Sequence, residues 1–404
     1  MNEMHDVAIV GAGPGGSAAA YFLAKHGLDV LLLDKSEFPR DKTCGDGLSH
    51  HAVRVLDEMG VLGDVAQAGY RVNGVEVYSP KGSFVSAGIP ATEGLPDYGL
   101  VVPRLKLDNL LLQRATEVGA TYHGLVRVTD VGRNGNGVSV KGERHGQLYS
   151  AAARIAIIAT GANPTLLLRT GLLQKTPPMI RAVRAYFEGV TGLTDRVVFR
   201  FQNVPLPGYG WVFPISDSAA NIGAYFDPAA MPARCVPPTP QAALDAFIRL
   251  PALQEMLRDA RRTGPAKGYP LHSSWRTPTF ADRVVLVGEA AGLVNPLTGE
   301  GVDCALESGQ MAAGKLIRMF EESDLTSRHL EAYDRLLRHR FYRVFIACKW
   351  VRDVFVNDML FDRLVRAAGR NSDLKTLLLG VILGTRDVSE IVSFKTILRV
   401  LLAL

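Results

Sequence analysis

Six residues near the amino terminus, Gly11-Ala12-Gly13-Pro14-Gly15-Gly16, put bare backbone where a side chain would block an approaching phosphate. They separate an apolar run, Val7–Val10, from a helix-like stretch that opens at Pro14 and reaches His26, so helix N–H groups would face the anion. That spacing suits the pyrophosphate of a dinucleotide. Asp34 closes the next apolar run 18 residues after Gly16, where a carboxylate can accept hydrogen bonds from a ribose. Cys44 is a second candidate, set between Lys42 and the glycines Gly45 and Gly47. A lone cysteine is most often a small buried hydrophobe, but these neighbours would bring both thiol and backbone close to a bound group. Tyr209, Trp211 and Phe213 alternate as one face of a strand would, either as ordinary core or as the wall of an apolar cavity. His50, His51 and His272 have no partners at metal-ligand spacing, and neither a G-x-S-x-G elbow nor a carboxylate pair suggests hydrolysis, so no metal is expected.

These residues need elements to hold them. A strand at Val7–Val10, the glycine turn, a helix and a second strand at Val30–Asp34 make a βαβ unit. Extended segments follow around Val72–Tyr78, a helix over Leu105–Val118, and strands at Gly137–Lys141 and Ile155–Ala159. From Pro177 to about Tyr269 the pattern turns β-rich, with one short helix across Gln241–Leu257. Arg283–Val287 then restores the first style and runs into a glycine-rich turn and a helix from about Gly301 to Phe320. The expected class is α/β: a discontinuous dinucleotide domain (1–75, 101–176, 270–326), an inserted antiparallel sheet domain (76–100, 177–269) and a helical region (327–404).

Composition agrees with a cored globular protein: 404 residues, 47% hydrophobic, 21% charged. Its four scattered cysteines fit a reducing, cytosolic setting. A formal charge of +5 without a polybasic run argues against a nucleic-acid partner. The polar amino terminus enters a strand at once, so no signal peptide is expected, and no apolar run reaches the roughly 18 residues of a membrane span. Ile391, Phe394, Leu398 and Leu401 fall at helical spacing near the end, close to the apolar run Leu377–Leu383. This stripe is read either as packing or as a peripheral contact with the inner face of a membrane.

Four stretches together carry a resemblance: the glycine turn; Pro39-Arg40-Asp41-Lys42-Thr43-Cys44-Gly45-Asp46-Gly47-Leu48; Pro207-Gly208-Tyr209-Gly210-Trp211-Val212-Phe213-Pro214; and Gly288-Glu289-Ala290-Ala291-Gly292 with Asn295-Pro296-Leu297-Thr298-Gly299-Glu300-Gly301-Val302-Asp303. In this order they resemble the geranylgeranyl reductase family of FAD-dependent oxidoreductases, which includes bacterial menaquinone reductases. The resemblance implies a fold similar to p-hydroxybenzoate hydroxylase: a Rossmann-type FAD domain, a sheet roofing a substrate cavity, and terminal helices. It implies FAD contacts from Gly11, Gly13, Pro14, Gly15 and Gly16 at the pyrophosphate, and from Asp34 with Lys35 at the ribose. Cys44, Gly45 and Gly47 would lie along the flavin, Arg104 would reach the cofactor, and the backbone of Val128 would meet adenine. Glu289 would serve the ribityl and pyrophosphate region, Gly301 and Val302 the flavin's N1–C2=O edge, and Gly288, Pro296 and Gly299 would also contact the cofactor. Two positions depart from the family: Thr160-Gly161 replaces an Asp-Gly pair, and Glu289 replaces the commoner aspartate.

The activity so implied is saturation of carbon–carbon double bonds in a polyprenyl chain, by hydride from reduced flavin N5 with protonation of the other alkene carbon. Cys44 and Tyr209 are the expected catalytic participants, with Tyr209, Trp211 and Phe213 lining the cavity. NAD(P)H, a ferredoxin or another reductant would supply electrons. Two other readings use the same scaffold. One is a flavin monooxygenase or halogenase, although the W-x-W-x-I-P signature of halogenases is missing. The other is a flavin-containing prenyl-lipid carrier without turnover.

Overall fold

A computed structural model describes residues 4–382 apart from 92–93, 136, 232–237 and 276–277. Its first sheet grows from the βαβ unit. The strand Met4–Val10 pairs in parallel with Val30–Leu33 on one side and Gln147–Ile158 on the other. Thr121–His123 and Val284–Leu286 extend this parallel core in either direction. All of Val30–Leu33 and the last four residues of Met4–Val10 are buried, as continuous apolar strands covered on both faces must be. Because these strands run the same way, the turns after Val10, Ile158 and Leu286 all open at one carboxyl edge, where α/β sheets bind their ligands. The helix Pro14–Lys25 packs there against the long helix Val302–Glu321.

The strand expected at Ile155–Ala159 begins at Gln147, because it is the second arm of a hairpin with Gly137–Arg144. His145 and Gly146, which join the arms, both have positive φ (51° and 75°), the geometry that a two-residue loop needs to match strand twist. The helix expected across Gln241–Leu257 is two, Pro240–Ile248 and Pro251–Met256. Pro251 forces the break, since it drives Leu250 to extended backbone (φ −56°, ψ 132°).

The second sheet runs antiparallel through Ile180–Glu188, Ala219–Phe226, Gly208–Pro214 and Arg196–Arg200. It is not wholly antiparallel, however. Arg196–Arg200 lies parallel to Gly74–Tyr78, a pairing allowed by the long excursion through the first sheet between them. The sheet therefore takes its first strand from residue 74, while Tyr70–Val72, also within the expected extended segment, joins a separate three-stranded sheet. One face packs on the helices Pro240–Ile248 and Pro251–Met256. The other carries Tyr209, Trp211 and Phe213 toward the carboxyl edge of the first sheet and the C-terminal helices. Helices fill the chain from Ser327 to Ile382. The stripe at Ile391–Leu404 lies outside the described residues, as does Leu383.

Candidate active site

The carboxyl edge of the first sheet and the aromatic face of the second enclose a cavity of about 600 Å³. That falls within the roughly 300–1,000 Å³ typical of cofactor and ligand sites. At one end lies the glycine turn. Gly13 caps the first helix and no side chain satisfies the helix N–H groups, which are left for a ligand. A Cβ built on Gly13 would meet only Arg40 Nη2, at 3.6 Å. Ala12 N–H donates to Asp34 Oδ2 (2.9 Å) and Ser36 N–H to Asp34 Oδ1 (2.8 Å), so the backbone itself fixes the carboxylate. Gly16 stands off the wall. A Cβ there would lie 1.8 Å from the Gly11 carbonyl oxygen, so the tightness of the turn itself requires this glycine.

Cations occupy the middle of the cavity. Arg104 forks onto Asp108 (2.6 and 2.8 Å), and Arg40 reaches the same carboxylate at 3.0 Å. Burial opposes the charge on Arg104, but Asp108 and Cys44 facing it more than compensate and hold its pKa above the usual guanidinium value. Lys42 lies 4.0 Å from Glu289, whose other oxygen accepts from His272 N–H (2.9 Å). Burial raises the Glu289 pKa and lowers that of Lys42, with each charge partly relieving the other. Thr160 lines this section, its hydroxyl donating to the Asn163 carbonyl at 3.4 Å.

The loop Asn295–Gly301 leads into the long helix, whose cap, Gly301, again leaves helix N–H groups without a side-chain acceptor. Ser49 donates both N–H (3.0 Å) and O–H to Asp303 Oδ2 on the first turn. Burial, together with Asp303 nearby, pushes the Glu300 pKa far up and favours its neutral form. Pro296 does not line the cavity; its carbonyl instead accepts from Tyr225 O–H at 3.2 Å.

At the far end is the aromatic wall. Cross-strand register sets Tyr209 opposite Tyr225, Trp211 opposite Gly223 and Phe213 opposite Asn221. Gly223 is required there, since a Cβ would fall 2.1 Å from the Trp211 ring. The rings of Tyr209 and Tyr225 stack with centroids 5.0 Å apart, and Phe199 meets Tyr209 and Phe213 edge-on at 5.2 and 5.3 Å. Tyr209 O–H donates to the Thr298 carbonyl, and burial pushes its pKa well above the usual phenol range. This phenol therefore keeps its proton and directs it at a backbone oxygen. The wall closes against the cysteine segment: Cβ atoms on Gly45 and Gly47 would come within 3.1 and 3.2 Å of the Phe213 ring.

Cys44 is half-buried, and its carbonyl accepts from Asn221 Nδ2 (2.8 Å). The same amide donates to Asp46 Oδ2 (2.7 Å), which also takes the Tyr186 O–H (2.6 Å), while Trp211 Nε1 donates to Asn221 Oδ1 (3.0 Å). Asp46 is fully buried on the cavity wall, and its Oδ1 has no hydrogen-bond partner among the described residues. Burial pushes its pKa up to about 6 against the pull of the Tyr186 and Asn221 hydrogen bonds. A carboxyl so placed can hold or release a proton near neutral pH.

The structure thus brings Gly11, Gly13, Pro14, Gly15, Asp34, Lys35, Cys44, Gly45, Gly47, Arg104, Val128, Gly288, Glu289, Gly299, Gly301, Val302 and the three aromatic residues to one cavity. Sequence reasoning assigned no role to Arg40, Lys42, Asp46 and Glu300, although all four stand inside the quoted motifs, where charge among glycines was the available signal. Phe199, Tyr225 and Asn221 carried no such signal. The donor set fits FAD: the bare-backbone cradle with its helix N-termini and Arg40 would hold the pyrophosphate and Asp34 a ribose, while Val128, the Gly299–Val302 loop and Cys44, Gly45 and Gly47 would be available to the adenine and the flavin.

Comparison with known proteins agrees. The family described as FAD binding domain matches residues 4–344. Menaquinone reductase of Mycolicibacterium smegmatis is 32% identical over 362 residues, covering 85% of this chain and 83% of that protein. Digeranylgeranylglycerophospholipid reductase 1 of Methanothermobacter thermautotrophicus is 30% identical, covering 82% of each. A geranylgeranyl bacteriochlorophyll reductase-like protein of Thermoplasma acidophilum superposes with a TM-score of 0.82 at 25% identity, over 96% of this chain and 98% of that one. FAD is the cofactor of the cavity, and the chain belongs to the geranylgeranyl reductase-like family of FAD-binding oxidoreductases.

Proposed function

We propose that this protein is a reductase that saturates carbon–carbon double bonds in a polyprenyl chain of the geranylgeranyl or menaquinone type. The observation that carries this reading is the aromatic wall: Phe199, Tyr209, Trp211, Phe213 and Tyr225 adjoin the cysteine segment within the same cavity as the cradle. An apolar chain has few other anchors, and rings stacked at these spacings give it a dry, shaped surface. The relatives named as reductases of menaquinone and of a digeranylgeranyl phospholipid support it.

The residues of the cradle would hold FAD, which when bound and reduced would supply the hydride. The chain's own residues have the remaining work. The wall excludes water and holds the alkene in place. A proton must reach the second carbon, and Asp46 is better suited to hold it than Tyr209, whose O–H is committed to Thr298. Cys44 lines the cavity between the cradle and the wall, which supports a role beside the alkene.

Anaerobic reoxidation tests the assignment. Protein reduced with dithionite should reoxidise on addition of a geranylgeranyl or menaquinone-type alkene alone, yielding a product two hydrogens heavier by mass spectrometry. Reoxidation that requires oxygen would make the protein an oxygenase or halogenase, and an absence of turnover with either would make it a carrier. Cys44→Ser should keep FAD and slow this step by about tenfold. An unchanged rate would remove the thiol from the chemistry.

A further inference from the structure

The second sheet grips Asp46 with two side chains that its register sets side by side. Tyr186 on the strand Ile180–Glu188 lies directly opposite Asn221 on Ala219–Phe226, on the sheet face that carries Trp211 and Phe213. Both donate to one oxygen, Tyr186 O–H at 2.6 Å and Asn221 Nδ2 at 2.7 Å from Asp46 Oδ2. Asp46 and Asn221 are fully buried. Tyr186 is only partly buried, and it does not border the cavity. It therefore approaches the carboxyl from the other side.

The edge of the sheet opens at this residue. The short strand Arg261–Arg262 pairs with Phe187 and Glu188, and Lys267–Leu271 pairs with residues 180–184, so the edge is interrupted opposite Ala185 and Tyr186. Thr263, Gly264 and Pro265, which begin the bridge across this gap, are exposed, and Thr263 N–H donates to the Tyr186 carbonyl at 3.0 Å. Arg184 lies 4.1 Å from the centre of the Tyr186 ring and is bound to Asp41 (2.5 Å), which also takes Lys267 (2.7 Å). Burial and the carboxylates Asp46 and Asp41 push the Tyr186 pKa far up, with Arg184 opposing them. Such a phenol gives up its proton only as it gains another.

A buried acid must be recharged. On the reductase reading above, on which this inference rests, each saturated bond takes one proton from the cavity, and a cavity occupied by cofactor and prenyl chain would leave no water to bring the next. We infer that Tyr186 relays protons from solvent at the sheet edge to Asp46, by a route apart from the one that cofactor and substrate take. As hydride adds to one alkene carbon, the Asp46 carboxyl gives its proton to the other and becomes a carboxylate. The Tyr186 O–H proton then moves to Asp46 Oδ2 while the phenol oxygen takes one from a hydronium ion in the gap, leaving water. No tyrosinate forms, and the sum is one proton from solvent. A half-turn about Cβ–Cγ exchanges this oxygen with Oδ1, which has no hydrogen-bond partner among the described residues. Tyr186 touches neither substrate nor cofactor and acts through Asp46.

The two donors to Asp46 separate relay from mere positioning. Both hydrogen bonds favour the carboxylate, as do Arg184 and Arg104, against the burial that raises the pKa to about 6. Loss of either donor should raise it further, but only loss of the Tyr186 hydroxyl should slow the proton's arrival.

The test uses full-length holoprotein and the infrared carbonyl band of protonated Asp46, identified by its absence from Asp46→Asn. A caged proton, released by light, carries the sample from above to below the carboxyl's pKa. Tyr186→Phe should slow growth of the band by roughly tenfold or more, at unchanged flavin absorbance and unfolding temperature, whereas Asn221→Leu should not. Equal rates in wild type and Tyr186→Phe overturn the relay, as does equal slowing in both variants. Should Tyr186→Phe fold poorly, wild type in mixtures of light and heavy water decides: two hydrogens moving together make the rate curve with deuterium fraction, and a straight line overturns the relay. With dithionite and a prenyl alkene, the first reoxidation of Tyr186→Phe should keep its rate and later turnovers should fall by roughly tenfold. A first reoxidation slowed as much as the later ones would make Tyr186 structural. Wild type that never reoxidises with alkene sinks the reductase reading instead, and the infrared rates still decide the relay.

Discussion

The glycine turn at 11–16 and the aromatic wall between Phe199 and Tyr225 border the same cavity, yet one is made by withholding side chains and the other by assembling them. In the turn, contiguous residues expose backbone N–H groups, and the nearest atom to a Cβ on Gly13 is 3.6 Å away. In the wall, rings from three strands touch only after the second sheet has formed, and Asn221 and Asp46 tie that sheet to the cysteine segment. A cofactor common to many proteins can be held by groups that every residue possesses. Selection of a particular apolar substrate needs side chains of chosen size.

Adding a side chain to the turn should break it. Gly13→Asp would place a carboxylate in the pyrophosphate's path and within reach of Arg40, removing one cation as it adds an anion. FAD affinity is expected to fall by ~10²–10³-fold, the scale of one unit-charge contact at moderate dielectric. The protein should purify colourless, and full absorbance near 450 nm would refute the assigned role of this turn.

Removing a charge beside the wall should show as pH-dependent stability. The folded-state pKa of Asp46, about 6, lies above its ordinary value of 3.8, so the fold favours the protonated form. The stability this contributes is complete below about pH 4 and is lost as pH rises through 6. A difference of about two pH units corresponds to at most about 3 kcal/mol. Asp46→Asn cannot ionise, so urea unfolding should show wild type losing ground to the variant between these two values. Parallel pH profiles would mean that Asp46 is solvated like a surface carboxylate.

The smallest effect is expected where a side chain is restored to the backbone-made side. Thr160 stands where the family resemblance leads one to expect an aspartate, and direct reduction of the flavin by NADPH should be slow beside dithionite or a ferredoxin. Thr160→Asp should speed it only about fivefold, because a Cβ built on the neighbouring Gly161 would lie 3.8 Å from Glu289 Oε2 and a second carboxylate nearby would be repelled. Stopped-flow bleaching, with FAD occupancy measured in parallel, checks this. Rapid bleaching of the wild type by stoichiometric NADPH would show that the missing carboxylate does not matter.

The same contrast explains what could be read from the chain. The cradle and Asp34 are local patterns whose spacing pointed to a dinucleotide, whereas the cysteine segment was assigned through the family resemblance. Alternation at Tyr209, Trp211 and Phe213 announced a strand face, but its partners depend on register, which no local pattern states. Tyr225, Phe199 and Asn221 therefore stayed hidden, as did the parallel pairing of Gly74–Tyr78 with a strand that starts at Arg196. The break before Pro251 was legible in principle, since proline restricts the residue before it, yet the apolar pattern on both sides masked it. Asp46 was visible as a letter in a motif. Only burial and the shared amide of Asn221 distinguish it from a solvated carboxylate.

Two hydroxyls on the wall donate to the adjoining loop that precedes the long helix. Tyr209 donates to the carbonyl of Thr298, and Tyr225 to that of Pro296, so one stacked ring pair grips the loop that ends at Gly301. A guest that tilts either ring must lengthen or break one of those bonds. Displacement then passes directly into the peptide units that present the first turn of the long helix. The stacked pair thus ties the apolar end of the cavity to the backbone that leads into the long helix.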